Sequence, residues 1–150
     1  MTSGHYGRLL LMAALSFAAM FVLMYAMVDV LGNVYVNVNQ VYMAGLMAAP
    51  MVVIELLLMS SMYKDKRLNA IFLAGSLALF VVFYLLLRQQ AAVSDTQFLR
   101  SMIPHHGGAI LMCERAPVQD PEILDLCDRI LANQQAEIAE MKAKLVELES

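Results

Sequence analysis

The chain has 150 residues, 61% of them hydrophobic and 15% charged. Soluble domains usually carry about 45–50% apolar and about 25% charged residues, so this composition argues against an ordinary cytoplasmic enzyme and against disorder. The formal net charge of −3 is unevenly spread: residues 1–88 hold five bases and three acids, residues 89–150 five bases and ten acids.

From Leu9 to Val28 no residue is charged, and the apolar run continues to Leu31. A spanning helix needs roughly 20 such residues, so a first transmembrane helix is expected over about 9–31. The run is too long for a signal-peptide core, and no small-residue cleavage site follows it. A second span is expected over about 41–62, interrupted by Pro50 and Glu55, and a third over about 68–87. Residues 1–88 therefore read as a membrane domain.

The connection between the first two spans has no Lys or Arg, whereas the next is Tyr63-Lys64-Asp65-Lys66-Arg67. Basic loops stay in the cytoplasm. The reading is a bacterial inner-membrane protein with a cytoplasmic N-terminus and a C-terminal region in the periplasm or outside the cell. That basic loop is the largest basic cluster, which argues against nucleic-acid binding. In the segment Asn33 to Tyr42 the tyrosines read as interface anchors, and the amides are suited to covering the outer end of the bundle.

After Arg88 the composition turns charged and helix-periodic. Ser94 or Asp95 can cap a helix over about 94–116, and Pro117 to Pro121 makes a turn. Asp120 as N-cap, Pro121 at the first helical position and Glu122 in the first turn start a second helix over about 121–149. At 100° per residue its face carries Ile123, Leu124, Cys127, Ile130, Leu131, Gln134, Ile138, Met141, Leu145 and Leu148. The facing stripe is read as Phe98, Met102, His106, Ala109, Cys113 and Ala116, with His105 and Met112 on one flank. The short turn makes an extracytoplasmic antiparallel hairpin over 89–150, and the fold class is all-α. Two helices bury little surface alone, so a second copy or the membrane helices are expected to cover the pair.

Adjacent His105 and His106 point about 100° apart on a helix. Met102 lies four residues before His106, Met112 seven after His105, and Cys113 seven after His106; Cys127 and Met141 lie on the facing helix. Imidazole, thioether and thiolate suit copper(I), silver or copper(II) better than magnesium or calcium. The plain alternative is that the histidines are partly exposed polar residues and the methionines fill core.

The segment from Asp95 through Phe98-Leu-Arg100-Ser-Met102-Ile103-Pro104-His105-His106-Gly-Gly-Ala109-Ile110-Leu-Met112 resembles the signature of the domain of unknown function 305 family. Pro121-Glu122-Ile123, Leu126, Ile130, Gln134, Glu137-Ile138 and Met141 continue the match, which covers roughly 94–148. The resemblance implies a ferritin-like half bundle exported from the cytoplasm, copper or silver bound through Met and His, and a role in copper tolerance. It carries over to Met102, His105, His106, Met112 and Met141. The chain departs from the family pattern in Cys113 and Cys127, where small apolar residues are usual, and in its three spans, where many relatives have only a signal peptide.

For Cys113 and Cys127 three readings stay open: soft-metal ligands, a disulfide, or buried core thiols. Glu55, within a span, costs roughly 2.5–3.5 kcal/mol on insertion scales and so wants a partner or a cavity. Met47, Met51, Glu55, Met59 and Met62 share one stripe, and Met20, Met24 and Met27 form another ending near Asp29. Glu55 and Asp29 are thus candidates for an intramembrane polar site, against packing methionines and a hydrogen-bonded or protonated Glu55. Gly107-Gly108 suggests close approach of another group, or a kink.

No nucleophile–base arrangement, phosphate loop or paired-carboxylate site is legible, so no enzyme is expected. The expected function is membrane-anchored sequestration or hand-over of copper, with silver or zinc as alternatives, by a homo-oligomer in contact with lipid. The rivals are an interaction protein whose hairpin oligomerises without metal, and an oligomeric soft-metal transporter using Glu55 and the Met stripes.

Overall fold

The structure, a computed structural model, describes residues 3–150. Among these residues there are five α-helices and no strands: α1 (Ser3–Leu23), α2 (Val38–Leu58), α3 (Lys66–Arg88), α4 (Asp95–Arg115) and α5 (Pro121–Glu149). Two 3₁₀ turns, Met24–Met27 and Leu31–Asn33, follow α1. The chain divides into two compact units. One joins the N-terminal segment up to Met24 with Asn39–Ala91; the other joins Tyr25–Val38 with Ala92–Ser150.

In the first unit the stretches Gly4–Met27, Val38–Leu58 and Lys66–Arg88 are long and apolar enough to cross a membrane. Their limits differ from those expected from charge alone. The first helix begins near Ser3 rather than Leu9 because Tyr6 and Leu9 are buried in a core with Val52, Leu56 and Tyr63. It ends at Leu23, before Leu31, where the Tyr25 hydroxyl donates to the Tyr35 carbonyl (2.9 Å) within the other unit. The second starts at Val38, whose N–H donates to Gln97 Oε1 (3.0 Å) within the other unit. α2 runs through Pro50 without a break.

Asp65 caps α3, accepting from the N–H groups of Arg67 and Leu68 (2.9 and 3.0 Å), which satisfies donors that a helix start otherwise leaves unpaired. The Tyr6 hydroxyl bonds Asn69 Oδ1 (2.7 Å), and Asn69 Nδ2 donates to the Tyr63 carbonyl (2.8 Å). α3 closes in a Schellman motif, with Ala91 N–H on Leu86 O and Gln90 N–H on Leu87 O. Gln90 holds the left-handed position at φ 49°.

The second unit is the hairpin with the Tyr25–Val38 segment on it. Ser94 and Asp120 cap the two helices, and Pro121 occupies the first turn of α5, as the sequence pattern indicates. Ile103, Ile110, Ile138 and Leu145 form the core, with Leu99, Leu131, Met141 and Tyr35 packed against it. The α4 stripe is therefore Leu99, Ile103, His106, Ile110 and Cys113, which follows the alternating four-and-three spacing of a coiled-coil seam. This corrects the expected stripe. Phe98 is exposed and Met102 is only half-buried, because each stands one residue, about 100°, before a seam position; Ala116 is exposed because it is the C-cap, in extended conformation outside the helix. On α5, Ile123, Leu124 and Leu148 are exposed rather than in the seam.

Candidate functional site

Most of the family-like segment is occupied in holding this unit together. Pro104 has no N–H, so the carbonyl of Arg100, four residues earlier, loses its helical donor. Asn37 Nδ2 donates to that carbonyl instead (3.3 Å). Gly107 and Gly108 are buried under the same segment: a Cβ on Gly107 would stand 2.5 Å from Asp29 Oδ1 and 3.2 Å from Val28 Cγ1, and one on Gly108 would meet the Met27 carbonyl at 3.5 Å. The glycines thus seat the Tyr25–Val38 segment rather than the partner helix, and α4 continues through them.

His106 is 7% exposed. Its Nδ1 donates to the Met102 carbonyl (2.9 Å), and Nε2 lies 2.6 Å from Glu137 Oε2 on α5. A carbonyl only accepts, so Nδ1 carries a proton; the Nε2 bond then needs a second ring proton or one on Glu137. Either way, both ring nitrogens are engaged. His105 is exposed, its ring 5.9 Å from that of His106. Met112, on the same flank, is 54% exposed. Met141 packs against the apolar core, and Met102 is half-buried.

Of the expected donors, His106 and Met112 stand at different levels of the hairpin. Six residues separate His106 from Met112, a rise of about 9 Å along the helix. Among the described residues no group of three or more His, Cys, Asp or Glu is placed to hold a metal ion.

The cysteines do come together. Cys113 closes the seam of α4 next to the turn, and Cys127 holds the matching position on α5, seven residues before Gln134. Both thiols are free and half-buried. The thiol of Cys113 is hydrogen-bonded to Cys127, and this bond, then burial and then the charge on Cys127, push it up to about 11.

The other two acids have separate settings. Both Asp29 oxygens accept from Asn33 Nδ2 (2.7 and 3.0 Å), within the hairpin unit. Glu55, within the apolar helices, accepts from the hydroxyl of Tyr63 in the basic connection (3.2 Å). Met59 and Met62 lie beyond the end of α2, and Met24 and Met27 in the 3₁₀ turn after α1, so neither Met stripe continues along one helix.

Sequence reasoning gives no role to Glu137 or Gln97, and to Asn37 only the general one of covering the outer end of the bundle. A helix-interior proline signals a freed carbonyl four residues back; the identity of the donor that comes to it is a long-range fact with no local trace.

The fold defines an all-helical protein with three membrane-length apolar helices and a helical hairpin whose seam ends in a dithiol. The chain belongs to the family described as domain of unknown function (DUF305), whose sequence pattern matches residues 57–145. That match begins within α2 and takes in α3 as well as most of the hairpin. The chain is also similar to "Uncharacterized protein L153" of Acanthamoeba polyphaga mimivirus, 32% identical over 142 residues, covering 93% of this chain and 91% of that protein. No solved structure matches it.

Proposed function

We propose that this protein is membrane-anchored and holds a soft monovalent metal ion, copper(I) or silver(I), between Cys113 and Cys127. The reading places the hairpin on the extracytoplasmic side of a bacterial inner membrane and gives it a part in copper tolerance. The observation that carries it is the pair of free thiols meeting across the helix seam. Thiolates and thioethers select copper(I) among biological metals. Met112, beside Cys113 and exposed, is the third donor we assign. Zinc is a poorer fit, because structural zinc takes four ligands and no larger group of such donors is assembled among the described residues. His106 keeps the helices in register, and His105 stands on the open flank as a transient contact during hand-over. The orientation rests on the basic residues Lys64, Lys66 and Arg67 between the second and third apolar helices.

The test is metal analysis of the protein purified from copper-supplemented cells under reducing conditions. About one copper per chain is expected in the wild type and in a His105→Ala/His106→Gln variant, and none in Cys113→Ser/Cys127→Ser. Copper that follows the histidines instead would overturn the assignment.

A second reading is favoured by the exposed Phe98, Met112, Ile123 and Leu124 on the hairpin. Apolar groups left open in this way suit pairing with a second copy. Light scattering in detergent, with Ile123→Lys/Leu124→Lys as control, separates an oligomer from a monomer.

A further inference from the structure

Where two free thiols close the last layer of a helix seam, a second chemistry is open to them. Cys113 lies two residues before the end of α4, and Cys127 lies in the second turn of α5. Cys127 is the group that the Cys113 thiol meets across the seam, and the connection 116–120 holds the two helix ends together from one side. From the other side the cross-helix bonds of His106 with Glu137 (2.6 Å) and of Arg100 with Glu149 (2.7 Å) fix the antiparallel register. A disulfide needs sulfurs at about 2.05 Å and Cα atoms within about 7 Å, which neighbouring seam positions near a turn can meet. Both cysteines are half-buried rather than sealed, so a small reagent can reach them.

We propose that Cys113 and Cys127 form a reversible cross-helix disulfide by exchange with small disulfides that are neutral or positively charged. One cysteine, releasing its proton, attacks a sulfur of R–S–S–R and forms a mixed disulfide while R–S⁻ leaves and takes up that proton. The second cysteine then attacks the protein sulfur of the mixed disulfide and expels the second R–S⁻, which takes up the second proton. The protein loses two protons and two electrons; the reagent is reduced to two R–SH.

The preference for reagent charge follows from the surroundings. Glu114, Asp120, Glu122, Asp125 and Asp128 lie along the same end of the hairpin, against Arg115 and Arg129, and Arg129 is paired with Asp125 (3.0 Å). The net negative field repels an anionic disulfide and attracts a cationic one, an effect that fades with salt. Closure would consume both thiols, so the oxidised hairpin could hold no ion there. The exchange uses the same sulfurs as the metal reading but does not depend on it.

The experiment uses the full chain, reduced, metal-free and in detergent, with cystamine or glutathione disulfide added and intact mass followed in time. Wild type is expected to lose two hydrogens without gaining a lasting adduct, and to do so about tenfold faster with cystamine at low salt. Cys127→Ser is expected to stop at a mixed disulfide on Cys113, with helicity unchanged by circular dichroism. The inference is overturned if wild type keeps two free thiols, carries stable adducts on both, or links into dimers. Equal rates with the two reagents would overturn the charge preference. Because no metal is present, failure here and failure of the copper reading are told apart.

Discussion

In α1, α2 and α3, large apolar side chains such as Leu15, Leu57, Leu77 and Val82 stand exposed, while Tyr6, Tyr63 and Asn69 bond to one another at one end of the helices. In the hairpin the pattern is reversed: Ile103, Ile110, Ile138 and Leu145 meet in the seam, and the acids and bases stand outside. Exposed hydrocarbon is stable only in an apolar medium, and exposed charge only in water. The two units therefore suit different solvents. The polar ties of the apolar unit serve helix ends, whereas those of the hairpin decide which donors remain open.

That contrast can be broken most forcefully at the hairpin core. Ile103 is 0% exposed, and truncating a buried isoleucine to alanine costs about 2–5 kcal/mol. Ile103→Ala is therefore expected to abolish hydrogen-exchange protection across α4 and α5. Protection left intact would show that the seam is not what holds these helices. Next in size is Gly107→Val, which forces Asp29 and Val28 away from α4. It should destabilise by roughly 2 kcal/mol, the scale of overpacking, with exchange rising most over residues 25–38. If only α5 responds, the glycines serve the partner helix after all.

Glu137→Ala removes a partner of buried His106. The carboxylate is half exposed (53%), so the expected loss is about 1 kcal/mol, typical of one hydrogen bond in a partly wet site. Copper uptake should be unchanged, which separates register from ligation. The smallest effect belongs to the other unit. Gln90→Gly relieves a left-handed residue and is expected to raise stability by up to about 1 kcal/mol, read as a higher melting temperature in detergent.

These variants also mark what the sequence could disclose. The helix starts at Asp120-Pro121 and Ser94, and the apolar lengths of three helices, are local patterns and were legible. The α4 seam was displaced because Phe98 and Met102 look as apolar as Leu99 and Ile103, and only the partner helix chooses between them. His106, prominent beside His105 as a ligand candidate, is tied to Glu137 thirty-one residues away. Nothing in the spacing reveals that pairing. For Cys113 and Cys127 the residue types alone leave ligand, disulfide and core roles open; their approach across the helices depends on the packed seam.

The most direct measurement is titration of the reduced full chain with copper(I) in detergent, following thiolate-to-copper charge-transfer absorption in the ultraviolet. The account predicts saturation at about one ion per chain, absent in Cys113→Ser/Cys127→Ser and undiminished in His106→Gln. Absorption that survives loss of both thiols, or no uptake by the wild type, would contradict it.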